Sequence, residues 1–233
     1  MITKGDIIEI DLILKDNDTK EILDTTFEKI AKESDLGVKS DFKPIKAVFG
    51  TNELLPTVEE KIKDLEATKT KTFILTKKEA FGDKNPSNTK IIPFNDFKQE
   101  KIVPEPGMQV TIGNQTGRVI SVSGGRVKVD FNPIFAGRNL EYTITVNKIF
   151  KEDKDKVPII VEKVFYFMKP EHLSYHIIDS EKAIEVELPI GLPKEFDYFK
   201  EIFAEAILTS TKLNKIKFSQ VFSRKEDKDK NIN

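Results

Sequence analysis

Apolar and polar positions alternate from the start of the chain. Over residues 7–14, Ile8, Ile10, Leu12 and Leu14 fall on one face at a period of two, and Ile7 and Ile13 make the other face partly apolar. That pattern predicts a central strand. Asp16-Asn17-Asp18 predicts a turn. Residues 21–25 lead into a helix, with Thr25 and Glu28 spaced as a capping box. Residues 35–44 read as a polar loop, and Ala47-Val48-Phe49-Gly50 ends in a turn. Thr57 and Glu60 form a second capping-box spacing behind Pro56, and Val58, Ile62 and Leu65 recur at i, i+4 and i+7 of a short helix. Phe73-Ile74-Leu75 predicts a buried strand.

Pro86, Pro93, Pro104 and Pro106 punctuate residues 85–107 and predict an irregular crossing into a new unit. Hairpin signals follow. Residues 110–112 meet Gly113-Asn114, residues 118–122 follow Gly117, and Gly124-Gly125 turns into an alternating run over 126–131. Residues 142–146 alternate again after Gly137. The charged run 151–156 predicts a boundary. Val161, Val164, Phe165 and Phe167 predict a long strand over 157–168, and residues 174–178 and 183–188 two more. Phe196, Phe199, Phe203 and Ala206 mark an amphipathic helix, and Ile216, Phe218, Val221 and Phe222 a last strand. Residues 224–233 read as a charged, disordered tail.

Composition narrows the class of protein. The 233 residues are 38% hydrophobic and 33% charged, enough for one large or two to three small soluble domains. The net charge of -1 gives no reason to expect nucleic acid as a partner. No apolar run is long enough for a membrane helix, and the start lacks a signal-peptide core. With no cysteine there is no disulfide, thiolate metal site or cysteine nucleophile, and a cytoplasmic location is expected. His172 and His176 have a spacing that would suit one metal on a helix, but Pro170 and strand-like neighbours argue against a helix there. Gly124-Gly125 reads as a hairpin turn rather than a phosphate loop. No metal or cofactor site is expected.

An ordered series of short patterns carries more. Leu23-Asp24-Thr25-Thr26 comes first, then Phe49-Gly50 with Glu53-Leu54-Leu55-Pro56, then Ala80-Phe81-Gly82. Asn132, Ala136-Gly137, Leu140 and Tyr142 close the series. Together they resemble the FKBP family of peptidyl-prolyl isomerases. The long stretch between Gly82 and Asn132 resembles the SlyD-like branch, with a chaperone domain inserted in the flap, and the segment beyond residue 155 resembles the long archaeal members. The resemblance implies an α+β protein: an antiparallel sheet wrapped on a short helix (residues 1–83 and 138–154), a β-rich insert (84–137) and a C-terminal α+β domain (155–223).

The resemblance also implies a site. Asp24 matches the pocket carboxylate and Leu23 its neighbour. Leu54 and Leu55 match the aliphatic pair whose backbone holds the peptide, Phe81 and Tyr142 the aromatic walls, Ile45 a wall and Val58 the floor. Ile134 and Phe135 fall in the flap. Several positions depart from the family pattern. Leu12 stands where an aromatic is usual, Phe81 lacks the hydroxyl of a tyrosine, Pro133 sits beside Asn132 where histidine is common, and Thr57 and Thr68 replace glycines.

The chemistry implied is rotation about an X-Pro bond against a barrier of about 18–20 kcal/mol. It needs no acid, base or metal. A dry, apolar pocket favours the twisted amide, whose resonance is lost, and fixed positioning of the ring contributes the rest. Ile91, Phe94, Phe97 and Met108 of the insert, with Ile92, Ile102 and Val103, belong to a unit too small to bury all its apolar surface. They are expected to serve in part as a groove for unfolded chains. The expected function is therefore an isomerase with chaperone activity, acting on unfolded or proline-containing polypeptides. A holdase with a decayed prolyl pocket is the alternative, motivated by Leu12, Phe81 and Pro133. The third segment is a candidate for self-association into a homodimer.

Overall fold

The computed structural model describes residues 1–36, 42–99, 101–169 and 173–222. Part of the loop expected at 35–44, His172 of the histidine pair, and the expected tail lie outside the described residues. The fold is α+β, with three sheets and five short to medium α-helices among those residues. In chain order the elements are β1 (Ile7–Asp16), β2 (Ile22–Thr25), α1 (Glu28–Glu33), β3 (Ile45–Val48), α2 (Pro56–Ile62) and β4 (Lys69–Leu75). Then come β5 (Thr89–Pro93), α3 (Phe94–Gln99), β6 (Gln109–Ile112), β7 (Gln115–Ser123), β8 (Arg126–Asp130) and β9 (Leu140–Phe150). The chain continues with α4 (Asp153–Val164), β10 (Ser174–Ile178), β11 (Ala183–Glu187), α5 (Phe196–Ser210) and β12 (Lys215–Ser219).

The first sheet has the order β2-β1-β9-β4, with β3 also pairing β1. The alternating segment at 7–14 is the strand expected, and β1 pairs antiparallel to β3 through Ile7↔Val48 and Ile10↔Ile45. The described residues pack as two compact units, one drawn from 1–11, 44–70 and 145–222, the other from 12–36, 42–43 and 71–144.

In the first unit, one core joins Ile7, Val48 and Phe150 to α4, β11 and α5 through Val157, Ile160, Ile184, Val186, Phe203 and Ile207. This explains why both Ile7 and Ile8 are apolar and fully buried. Strands β10 and β11 are antiparallel, and β11 and β12 are parallel, with α5 as the crossover between them.

The strand expected at 157–168 is instead α4. Its β-branched run Val157, Ile159, Ile160, Val161 reads as a strand by propensity. The apolar positions Val157, Ile160, Val161 and Val164 nevertheless stand at i, i+3, i+4 and i+7, and all four are buried. Asp153 and Asp155 in the first turn complement the helix dipole. Tertiary burial overrides propensity and accommodates Pro158 inside the helix.

In the second unit, β5-β8-β7-β6 form an antiparallel sheet. Val110, Val119, Val127 and Val129 fill its core with Phe97 of α3. The segment expected to be irregular thus contains β5 and α3; Pro93 ends β5, whose register with β8 runs from Thr89↔Asp130 to Pro93↔Arg126. Proline at a strand end on the sheet edge costs no ladder bond. Neither Thr25 nor Thr57 is the N-cap of its helix. The N-caps are Phe27 and Leu55, without side-chain caps. Pro56 starts α2 instead.

Candidate functional site

The carboxylate of Asp24 is set by an irregularity in the β1–β2 pairing. Leu14 faces Asp24 and Lys15 faces Ile22, which leaves Leu23 as the extra residue on β2. A bulge re-aims the side chains beside it. The two threonines that follow then clasp Leu12. Thr26 donates its amide to the Leu12 carbonyl at 3.0 Å, and Thr25 Oγ1 donates to the same carbonyl at 3.0 Å. The Leu12 amide in turn donates to Thr26 Oγ1 at 3.0 Å. Asp24 Oδ1 accepts from the Thr25 amide at 2.7 Å. Thr25, read as a cap, is therefore a strand-pairing residue.

Tyr142 projects from β9 and is 7% exposed. Its ring stacks on Phe73 of β4, with centroids 5.6 Å apart and planes 9° from parallel. Burial, with the Asp24 carboxylate second, pushes the Tyr142 hydroxyl up to about 12. Asp24 and Tyr142 thus share one electrostatic neighbourhood. Phe73 was read only as a strand residue. Its spacing of two from buried Leu75 puts both on one face, and that was the signal available.

Phe81 lies in a tight turn. The Gly82 amide donates to the Lys77 carbonyl at 2.6 Å, and Glu79 accepts from the Thr76 amide and hydroxyl at 2.9 and 2.7 Å. Gly82 has φ +75°, where a side chain would be strained. The Phe81 ring meets Phe135 edge-on at 5.6 Å, planes 61° apart. Ile134 is 68% exposed beside it.

The two chain crossings between this turn and the insert are tied together. Gly137 donates to the Gly82 carbonyl at 2.7 Å. Asn132 Oδ1 accepts from the Asn85 amide at 2.8 Å, and Asn132 Nδ2 donates to the Asn85 carbonyl at 3.1 Å. Asp130 accepts from the Asn132 amide at 2.9 Å and from Lys84 Nζ at 2.9 Å. Burial alone would raise the Asp130 carboxyl, but the hydrogen bonds from Asn132 and the Lys84 ammonium hold it below its ordinary value. Of these polar neck residues only Asn132 stood in the motif series; Lys84, Asn85 and Asp130 carried no hydrophobic pattern and were missed.

Ile45, Leu54, Leu55 and Val58 belong to the first unit. Ile45 opens β3 and is 37% exposed. Leu54 and Leu55 are half-buried; the Leu55 carbonyl accepts from Val58 and Glu59 at 2.8 and 3.0 Å, starting α2. Val58 is buried on α2. In the insert, Phe97 is 3% exposed and serves the core, with Phe94 packed against it. Ile91, Val103, Met108 and Ile120, like Ile134, are exposed apolar residues there. Among the described residues no group of carboxylates and histidines could hold a metal, and no helix is long and apolar enough to cross a membrane.

Residues 90–133 match the family model described as "FKBP26, IF domain". The chain is 28% identical over 150 residues to the "Short-type peptidyl-prolyl cis-trans isomerase" of Methanocaldococcus jannaschii, covering 64% of this chain and 94% of that protein. It is 28% identical over 116 residues to a "Probable FKBP-type 16 kDa peptidyl-prolyl cis-trans isomerase" of Pseudomonas fluorescens, covering 47% of this chain and 76% of that protein.

Proposed function

We infer that this homologue of FKBP-type isomerases, with its insert-in-flap domain, is itself a peptidyl-prolyl cis-trans isomerase. The observation that carries the reading is the buried Tyr142 ring, stacked on Phe73, whose hydroxyl is pushed up by burial and then by the Asp24 charge; Phe81 and Phe135 form a second, edge-on aromatic pair. Rotation of an X-Pro bond breaks amide conjugation without moving a proton or forming a bond. What helps is a site that removes water from the twisted amide and fixes the ring. Aromatic walls supply that dryness. Asp24 and the Tyr142 hydroxyl are the polar groups that orient the peptide. In the first unit, the Leu54–Leu55 backbone binds peptide, and Ile45 and Val58 are the apolar candidates there. Phe81 contributes its ring alone.

Chaperone activity extends the reading. The exposed Ile91, Val103, Met108 and Ile120 give the insert an apolar surface that suits unfolded chains. Weak capture there and turnover at the prolyl site reinforce one another, because tethering raises the local concentration of prolines. Clients are unfolded or proline-containing polypeptides.

A protease-coupled assay on an Xaa-Pro tetrapeptide, beside a proline-limited refolding assay, tests both parts. Acceleration in both is expected, with refolding accelerated more strongly. Suppressed aggregation of a client with neither rate raised would instead establish the holdase reading, which Leu12 and the hydroxyl-free Phe81 favour.

A further inference from the structure

We propose that Lys163, on α4 of the C-terminal segment, is a positioning residue for the peptide-binding loop Glu53-Leu54-Leu55. The assignment rests on the isomerase reading and extends it to the C-terminal segment. Glu53 Oε2 accepts from the Val48 amide at 3.1 Å and pairs with Lys163 Nζ. The same ammonium lies 3.5 Å from the Lys46 carbonyl. The neighbouring Glu162 pairs with Lys46 Nζ at 3.5 Å. One turn of α4 therefore holds both β3, which opens with Ile45, and the residue that leads into Leu54 and Leu55. The loop has other ties, since Thr51 Oγ1 donates to the Val48 carbonyl at 2.9 Å and Glu59 accepts from the Gly50 amide at 2.9 Å. Glu53 is where the C-terminal helix joins them.

Magnitude separates this role from bulk stability. The Lys163 and Glu53 side chains are 44% and 32% exposed, so the pair adds little to folding. What it limits is movement of a short loop whose backbone must meet a peptide. Loosening that loop weakens ground state and transition state alike, which raises KM and leaves kcat in place.

The experiment compares wild type, Lys163→Met, Lys163→Arg, Glu53→Gln and the double variant E53Q/K163M on an Xaa-Pro tetrapeptide. Expected is a three- to fivefold fall in kcat/KM for K163M, about as expected for loss of one partly exposed pair, carried by KM. K163R restores most of it, and the double variant falls no further than either single one. Raising salt to about 1 M lowers wild type toward K163M and leaves K163M flat, since screening removes the same interaction. The Val48 amide exchanges faster with solvent in K163M, and thermal midpoints stay together. An active wild type whose K163M variant matches it in kcat/KM, salt response and Val48 exchange overturns this assignment alone. A wild type that gives no acceleration overturns the isomerase reading and this assignment with it.

Discussion

A carboxylate beside a buried phenol makes the ionisation of Tyr142 a reporter on the site. Its pKa is raised to about 12, first by burial and then by Asp24. The folded state therefore holds the neutral phenol more tightly than the unfolded chain, whose ordinary value is about 10. Stability from this group is complete below pH 10 and is lost as pH rises through 12. Asp24→Asn should bring the Tyr142 titration down while burial keeps it above the ordinary value. Absorbance titration at 295 nm, with Tyr142→Phe as the blank, reads it; a titration unmoved by D24N would separate the two residues. Both were legible in the sequence only through the family-like motif, since one acid and one strand tyrosine are anonymous by pattern. Phe73, which stacks on Tyr142, was legible as strand and not as site, because β4 is exposed over its first four residues and shows no clean alternation.

Elements were legible where burial follows period. The alternating runs gave β1, β6, β8, β10 and β11 close to their ends, and the phenylalanine spacing gave α5; β7 begins three residues before the run at 118–122, and β9 continues four residues past the run at 142–146. Strand β12 ends at Ser219, and Val221 and Phe222 beyond it are exposed. α4 was misread because β-branched residues dominate it. Of the neck only Asn132 was legible, as a motif residue, because Lys84, Asn85 and Asp130 form no apolar pattern and act through hydrogen bonds across 46 to 47 residues. Asn132→Ala removes both bonds to the Asn85 backbone. On the proposed division of labour between the insert and the prolyl site, proline-limited refolding should slow severalfold while tetrapeptide turnover stays within about twofold. Equal losses in the two assays would refute that division. Acid should act on the same neck. The Asp130 carboxyl sits below its ordinary value, so its contribution is present above about pH 3.9 and fades as pH falls through the folded value. Hydrogen exchange of the Asn85 amide between pH 5 and pH 2.5 follows this, with faster exchange relative to the intrinsic rate at the acid end.

At the scale of the whole molecule, the C-terminal segment shares a core with the start of the chain. Phe203 is fully buried, with Phe165 and Phe218 at 5.3 and 6.0 Å. Gly5 has φ +86°, and a Cβ there would lie 2.8 Å from the Thr209 carbonyl oxygen. Asp6 and Lys156, both nearly buried, stand 3.7 Å apart, and Lys156 donates to the Ser210 carbonyl at 2.7 Å. Removing one partner of such a pair costs far more than the pair contributes. Phe203→Ala should cost about 3–5 kcal/mol and lower the thermal midpoint by roughly 10 °C. A shift under about 2 °C would mean that α5 is dispensable to the unit that holds Ile7 and Val48. The apolar residue on the second face of β1, plain in the sequence, was the one sign of this shared core.

The central claim is that this chain twists prolyl bonds, and the cis–trans exchange of an Xaa-Pro tetrapeptide, followed by exchange NMR without a protease, tests it most directly. The account predicts exchange faster than the uncatalysed reaction, whose time is about 10–100 s, rising linearly with protein and collapsing in Tyr142→Ala. Exchange at the blank rate with saturating protein would contradict it.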